Sequence, residues 1–400
     1  MATRRRTGRR VGFVTPRYGP GVVGGSEHVM AEAARGLLAH GYETEIITTC
    51  AKDHYTWAND FPAGDSDDGG LTIRRFPTEA GRHDRRMSSL QERIVRGQSL
   101  TTEEELAWLN GRFRVPQMYR WLARHGGDLD AIVFSPYLFW TTVYGASVHP
   151  DRSIVLPCLH DEQEARFYCV SQMLSDVASV WFLSEPEHQL GHRVANLPPH
   201  HAVVGAAVEE PAVRDPERFR RRHGLERPFI YYAGRREDGK GWRALVKAFG
   251  AAVLRHDLPF DLVTAGVGVP WIPDVVAERV IDLGYLEPDD LSDGFAAAAA
   301  YCQPSRNESF SRTIMQAWLA GTPVLASTGS DVVTWHCERS GGGLSYADEW
   351  EFAECLRFLA DAPEAAAELG SRGRRYVLAN YTWPIVTRTM ADSLEALWAR

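Results

Sequence analysis

PSRNESFSRTIMQAWLAGTPVLAS, residues Pro304–Ser327, is the stretch that decides the fold. It reads as a loop, a helix from about Ser309 to Ala320, and a buried strand over Pro323–Ala326. Gly321 stands where a glycine closes a helix, and Pro323 behind it prevents continuation. A helix handing over to a short apolar strand is one step of an alternating α/β sheet. Glu308 precedes the helix and Gln316 lies inside it. Helical rise separates them by roughly 12 Å, the span from the sugar to the ribose of a nucleotide sugar. Between them Ser309, Phe310, Ser311 and Arg312 bring backbone N–H groups to a helix N-terminus, a natural seat for an anion.

The same alternation continues on the N-terminal side. Phe229–Ala233 is an apolar strand that runs into GRREDGKGW. Arg235 and Lys240 are flanked there by Gly234 and Gly241, which let the loop bend so that both cations converge on one diphosphate. Trp242–Leu254 is an amphipathic helix, Phe260–Ala265 a strand, and Val280–Leu283 another, followed by Gly284-Tyr285-Leu286. A helix over Asp290–Ala300 and a strand over Tyr301–Gln303 lead back to the opening stretch. This half is a doubly wound sheet.

The N-terminal half starts with a strand at Val11–Thr15, a glycine-rich loop at Tyr18–Gly25, a helix at Ser26–His40 and a strand at Glu43–Thr49. Gly19, Gly21 and Gly24 spell G-x-G-x-x-G, which alone is weak evidence for a dinucleotide. A dinucleotide site also needs an acid closing the second strand, and here Thr48, Thr49 and Cys50 close it. Gly24-Gly25-Ser26-Glu27 is read instead as a helix N-terminus facing phosphates. Asp65-Ser66-Asp67 lies in the polar run AGDSDDGG, which reads as an exposed turn and not as a metal site.

Pro77–Gly127 is helical and basic, with Arg82, Arg85, Arg86, Arg93 and Arg96. A capping-box start lies at Thr101/Thr102 with Glu104/Glu105. The segment reads either as surface helices or as an acceptor-binding excursion. Tyr119, Trp121, Tyr137, Phe139 and Trp140 offer stacking surfaces or core. Ala131–Ser135, Ser153–Pro157 and, last, Val180–Ser184 are strands. His160 and Asp161 follow the second of these, beyond a strand's carboxyl end, where open α/β sheets hold ligands.

Four hundred residues exceed what one core usually serves. A composition shift over His200–Arg227 sets the boundary, giving domains 1–205 and 206–380. Hydrophobic content of 44% and charged content of 24% are those of a soluble enzyme. The net charge of −8 argues against a nucleic-acid partner. No apolar run approaches the ~20 residues that cross a bilayer, and the five arginines of Met1–Arg10 allow at most peripheral membrane contact. The cysteines, Cys50, Cys158, Cys169, Cys302, Cys337 and Cys355, make no C-x-x-C pair and read as reduced core residues of a cytoplasmic protein.

Together these landmarks resemble the retaining GT-B glycosyltransferases of family 4, over nearly the whole chain. The carrying residues are Gly24–Glu27, His160, the glycine-arginine and lysine-glycine pairs at Gly234-Arg235 and Lys240-Gly241, and Glu308. The resemblance implies two facing Rossmann-like doubly wound domains with an interdomain cleft, and a C-terminal helix, 381–400, that returns to the first. It implies a metal-independent, hexosyltransferase-type enzyme without a cofactor, using a nucleotide-diphosphate sugar as co-substrate and a small-molecule, sugar or lipid acceptor. Arg235, Lys240, Glu308 and His160 would be catalytic. Gly24, Gly25, Gly234, Tyr285, Leu286, Ser309, Phe310, Ser311, Arg312 and Gln316 would bind the donor, and Ser26, Glu27, Asp161 and Tyr137 the acceptor. The chain departs from the family at Gln316, where a second glutamate is usual, and so loses a charge-assisted bond to ribose. The alternatives are a non-catalytic nucleotide-sugar binder, an NAD-dependent oxidoreductase, or a phosphorylase or epimerase on the same fold.

Overall fold

The computed structural model describes residues 8–22, 24–81, 84–211 and 213–399. The arginines at 4–6 and Arg82 lie outside the described residues. The chain divides into two compact units, one running up to Ala206 and resuming at Trp383, the other from Ala207 to Thr382.

In the first unit the strands are β1 (Arg10–Val14), β2 (Glu43–Thr49), β3 (Gly64–Asp68), β4 (Leu71–Phe76), β5 (Glu79–Ala80), β6 (Phe113–Arg114), β7 (Ala131–Phe134), β8 (Ser153–Val155), β9 (Ser179–Phe182) and β10 (His201–Val203). Its main sheet runs β10-β9-β8-β7-β1-β2-β4-β3, parallel throughout except where β3 meets β4. The central strands β1, β7 and β9 are apolar and buried because helices cover both faces of a parallel sheet. Those helices are α1 (Gly25–Ala39), α2 (Arg85–Val95), α3 (Thr102–Arg112), α4 (Pro116–His125), α5 (Trp140–Ala146), α6 (Tyr168–Asp176) and α7 (Glu185–Val194). Thr101 and Glu104 cap α3 reciprocally as a full capping box.

Two expectations change here. The run at Asp65–Asp67 is not a turn but the exposed edge strand β3, and the turn is Gly69-Gly70 behind it. A charged edge resists pairing with another sheet. Val180–Ser184 is not the last strand either. His201–Val203 adds β10 beside β9, a segment too short for a period-2 signal.

The second unit holds β11 (Phe229–Ala233), β12 (Asp261–Ala265), β13 (Val280–Asp282), β14 (Ala300–Gln303), β15 (Val324–Ser327) and β16 (Gly343–Tyr346) in the order β13-β12-β11-β14-β15-β16, all parallel. Its helices are α8 (Pro216–His223), α9 (Trp242–His256), α10 (Pro288–Ala297), α11 (Arg312–Leu319), α12 (Asp331–Ser340), α13 (Glu349–Asp361) and α14 (Pro363–Asn380). α11 starts three residues later than its sequence suggests, because Ser311 takes a left-handed conformation (φ 64°) and breaks the helical path. The helical rise used to space Glu308 from Gln316 therefore applies only from Arg312 onward.

The last helix, α15 (Trp383–Trp398), belongs to the first unit. It buries Val386, Met390 and Leu394, and three polar contacts fix it. Trp181 Nε1 donates to Ser393 Oγ (2.9 Å), Tyr42 to Glu395 (2.9 Å) and Trp398 Nε1 to the Asp130 carbonyl (3.2 Å).

Candidate active site

In each sheet the strand order reverses once, and open α/β sheets bind ligands at the carboxyl ends of the strands flanking such a point. In the second unit the reversal lies between β11 and β14. The loops leaving those two strands are 234–241 and 304–311, the two stretches singled out above.

They meet directly. Lys240 Nζ lies 2.8 Å from Glu308 Oε1, with the carboxylate nearly buried and the ammonium half-buried. Gly241 has φ 74°, and a Cβ there would stand 2.2 Å from the Pro304 carbonyl oxygen. Glycine is required for the contact that closes one loop on the other. Ser305 Oγ donates to the Gly239 carbonyl (3.4 Å) across the same seam.

Behind the pair lies a side chain the sequence did not single out. Gln303, at the end of β14, donates from Nε2 to Glu308 Oε1 (3.0 Å) and to Ser311 Oγ (2.8 Å), while its Oε1 accepts from buried Tyr301 (3.0 Å). Gln303 thus holds both the carboxylate and the turn that starts α11. Its only sequence signal was its place at a strand end.

The two arginines of the loop divide their roles. Arg235 is exposed and lies 3.1 Å from Glu237, with its carbonyl held by Tyr232 (2.6 Å). Arg236 is buried, binds the carbonyl of Gly266 (2.6 Å) and pairs with Asp282. Asp282 also accepts from the Gly284 N–H (2.9 Å), so one ion pair gathers the ends of β11, β12 and β13. Beyond it Tyr285 is exposed and Leu286 half-buried. Gln316 is partly exposed on α11, whereas Phe310 is buried against His336 and Tyr381, with ring centroids 5.3 and 4.9 Å away. The Phe310 side chain is core. Ser309 is buried and Arg312 half-buried beside it.

In the first unit the reversal lies between β1 and β7. Gly24 precedes α1, but the carboxylate of Glu27 turns inward and forms a buried ion pair with Arg17 (Nε to Oε1, 2.9 Å). A Cβ on Gly24 would stand 2.1 Å from Glu27 Oε2, so that glycine makes room for the carboxylate. The charge of Glu27, expected at the acceptor, is engaged inside the unit. Ser26 donates to the same carboxylate (2.8 Å), and Gly25 has open space around it.

Tyr137 is also not available for stacking. It is buried, burial and the nearby Glu162 carboxylate raise its pKa, and its hydroxyl donates to Glu162 Oε1 at 2.5 Å. Most of the other aromatics read as stacking candidates are core: Trp140 is buried and Phe139 packs among Trp57 and Phe113. Tyr119 remains exposed.

His160 is partly exposed, with Nδ1 3.8 Å from Glu162 Oε1, and Asp161 pairs with Arg166 (2.5 Å) and Arg193 (3.7 Å). The loop is fixed from below by Glu187, fully buried on α7, whose two oxygens accept the N–H groups of Leu159 and Leu183 (2.6 Å each). Burial drives the pKa of Glu187 up to about 8 against those hydrogen bonds.

Comparison with known proteins agrees with this architecture. Residues 227–361 match the family "Glycosyl transferases group 1". A D-inositol 3-phosphate glycosyltransferase from Thermobispora bispora is 26% identical over 98% of this chain and 96% of its own. One of the same name from Corynebacterium diphtheriae is 29% identical over 60% of each chain. The second unit carries the group 1 glycosyltransferase match, and the chain has the GT-B fold. The sucrose-phosphate synthase of Thermosynechococcus elongatus superposes on this glycosyltransferase with a TM-score of 0.74 at 18% identity, covering 98% of this chain and 99% of that one. The Anabaena protein Alr3699/HepE, solved with UDP and glucose, does so at 0.68 and 14%, covering 97% and 100%. Among the described residues of the enzyme no helix is long and apolar enough to cross a membrane.

Proposed function

We propose that this enzyme is a family 4 transferase that moves a hexose from a nucleoside-diphosphate sugar to an acceptor hydroxyl with retention of anomeric configuration. The observation that carries the reading is the Lys240–Glu308 pair at the β11/β14 reversal, a cation and a carboxylate on two loops locked together.

The hard step is expulsion of the nucleoside diphosphate. Lys240 and Arg235 would balance the charge that grows on the leaving phosphate, an effect worth several kcal/mol in a water-poor site. The first-turn amides of α11 add a partial positive charge. Two cations and a helix N-terminus would serve at the diphosphate without a divalent ion. Glu308 would accept hydrogen bonds from donor-sugar hydroxyls, and Gln316 from the ribose. The bond from the anomeric carbon to the phosphate oxygen breaks while the bond to the acceptor oxygen forms on the same face. The departing phosphate takes the acceptor's proton, so no protein nucleophile is needed. The first unit would bind the acceptor, with His160, in the loop after β8, as a polar group offered to it. The reading favours a phosphorylated polyol, a sugar, a lipid or another small hydroxyl compound, a range that includes the inositol phosphate named for the relatives.

A thermal-shift panel of UDP, GDP, TDP, ADP and NAD, with and without magnesium, tests it. A ligand at a hundred times its Kd stabilises a protein by about 2.7 kcal/mol. One nucleoside diphosphate should stabilise the chain without magnesium and so name the donor base. Proton NMR of the product then reads the anomeric configuration. A shift with NAD alone would overturn the proposal in favour of the glycine fingerprint.

A further inference from the structure

Away from the strand ends that form the candidate site, three imidazoles meet on the first unit. His188 and His192 stand one turn apart on α7, a spacing that places both on one helix face. His201 opens the edge strand β10, which pairs with β9 so that His201 lies opposite Val180. That register carries the third ring to the other two. One ring nitrogen from each lies within 4.8 Å of the others. The Nε2 atoms of His188 and His192 are 3.0 Å apart, and the three ring centroids are separated by 4.7, 5.0 and 5.2 Å.

Two of the remaining nitrogens face acceptors outside the cluster. His201 Nδ1 lies 2.8 Å from the Pro198 carbonyl oxygen. A carbonyl only accepts, so Nδ1 carries the hydrogen and Nε2 keeps its lone pair. Glu185 Oε1 stands 3.5 Å from His188 Nδ1 and favours the same tautomer there. A carbonyl or carboxylate on the second nitrogen is the outer contact that orients metal-bound histidines. Neutral imidazole is the ligating form.

We propose that His188, His192 and His201 form a three-histidine site for a divalent transition metal of the zinc, nickel or copper class, with water in the remaining position. An all-imidazole set suits these ions and not magnesium or calcium, which need oxygen ligands. Tetrahedral zinc at about 2.0–2.1 Å from each nitrogen spaces the nitrogens by roughly 3.3 Å. The His188–His192 separation is already close to this. Exposed His192 has the freedom to adjust toward His201. The metal would pin the short edge strand β10 to α7, three residues before the unit ends at Ala206. Its role is structural, and it does not depend on the sugar-transfer reading.

The test uses full-length protein without an affinity tag, stripped with EDTA and titrated with Zn²⁺ by calorimetry and with Co²⁺ by visible absorption. The expected result is one tight equivalent per chain, a raised Tm with Zn²⁺, and a Co²⁺ spectrum of four-coordinate type. His192→Ala removes an exposed side chain and should leave the circular dichroism unchanged while weakening metal binding at least tenfold. His201→Ala should do the same. No stoichiometric uptake by the wild type, or uptake as tight in both variants, overturns the proposal.

Discussion

The two sheets reverse strand order in the same way, yet the residues at their reversal points are used differently. In the first unit the acid just past the glycine loop, Glu27, is drawn into a buried ion pair with Arg17. In the second unit Glu308 faces a half-buried Lys240 on a neighbouring loop. A charge pair with both partners buried acts on folding, because removing one partner strands the other out of water. The Lys240–Glu308 pair keeps its cation partly exposed, so it has less stability at stake than a pair buried at both ends. The same topology therefore yields a structural acid in one unit and a candidate catalytic acid in the other.

Four measurements sharpen or break that contrast. The largest effect is expected from Glu27→Ala, which should cost about 3–5 kcal/mol of stability by removing the carboxylate that balances the buried Arg17 charge, read as a fall in denaturant midpoint. A midpoint close to wild type would erase the distinction. Next, Lys240→Ala and Glu308→Ala should each lower kcat on the order of 10²–10³-fold, with circular dichroism and Tm little changed. Wild-type rates in both variants would sink the assignment of the site.

The third test uses pH. Glu187 rises from the ordinary 4.5 to about 8 on burial, so its contribution is complete below about pH 4.5 and is lost as pH climbs to about 8. His336 in the second unit falls from 6.5 to about 3, mainly by burial and secondarily through Arg339. Its contribution is complete above about pH 6.5 and is lost as pH drops toward 3. Each window should carry on the order of 2–4 kcal/mol. Hydrogen exchange resolved by peptide should therefore show the first unit loosening toward alkaline pH and the second toward acid. Glu187→Gln and His336→Phe should flatten the respective trends; trends unchanged by these substitutions would show that other groups set them. The smallest effect is Gln316→Glu, which should tighten nucleotide diphosphate binding by about tenfold if the side chain meets the ribose. Calorimetric titration would show no change if it does not.

How much of this was legible beforehand differs between the units. The second was read nearly strand by strand up to Ser327, because apolar runs broken by glycine, proline and charge mark a buried parallel sheet. Arg235 and Lys240 stood out through residue type beside glycines, and Glu308 through its place just ahead of a helix. Gln303 and Arg236 did not, since an amide at a strand end and the second of two arginines look unremarkable until their partners are known. In the first unit the sequence proposed Glu27 and Tyr137 as contacts, and packing turned both inward. The histidines at 188 and 192 show helical spacing in the sequence, but only the β9/β10 register adds His201.

By itself, then, the sequence determined the alternation of strands and helices and the cation-rich loop after β11. These follow from local periodicity and from backbone freedom at glycines, which neighbouring residues already specify. The tertiary structure alone decided which charges were consumed by folding and which stayed exposed. Whether a carboxylate meets Arg17 or Lys240 depends on groups brought together from distant parts of the chain, and spacing along a strand or helix carries no record of that.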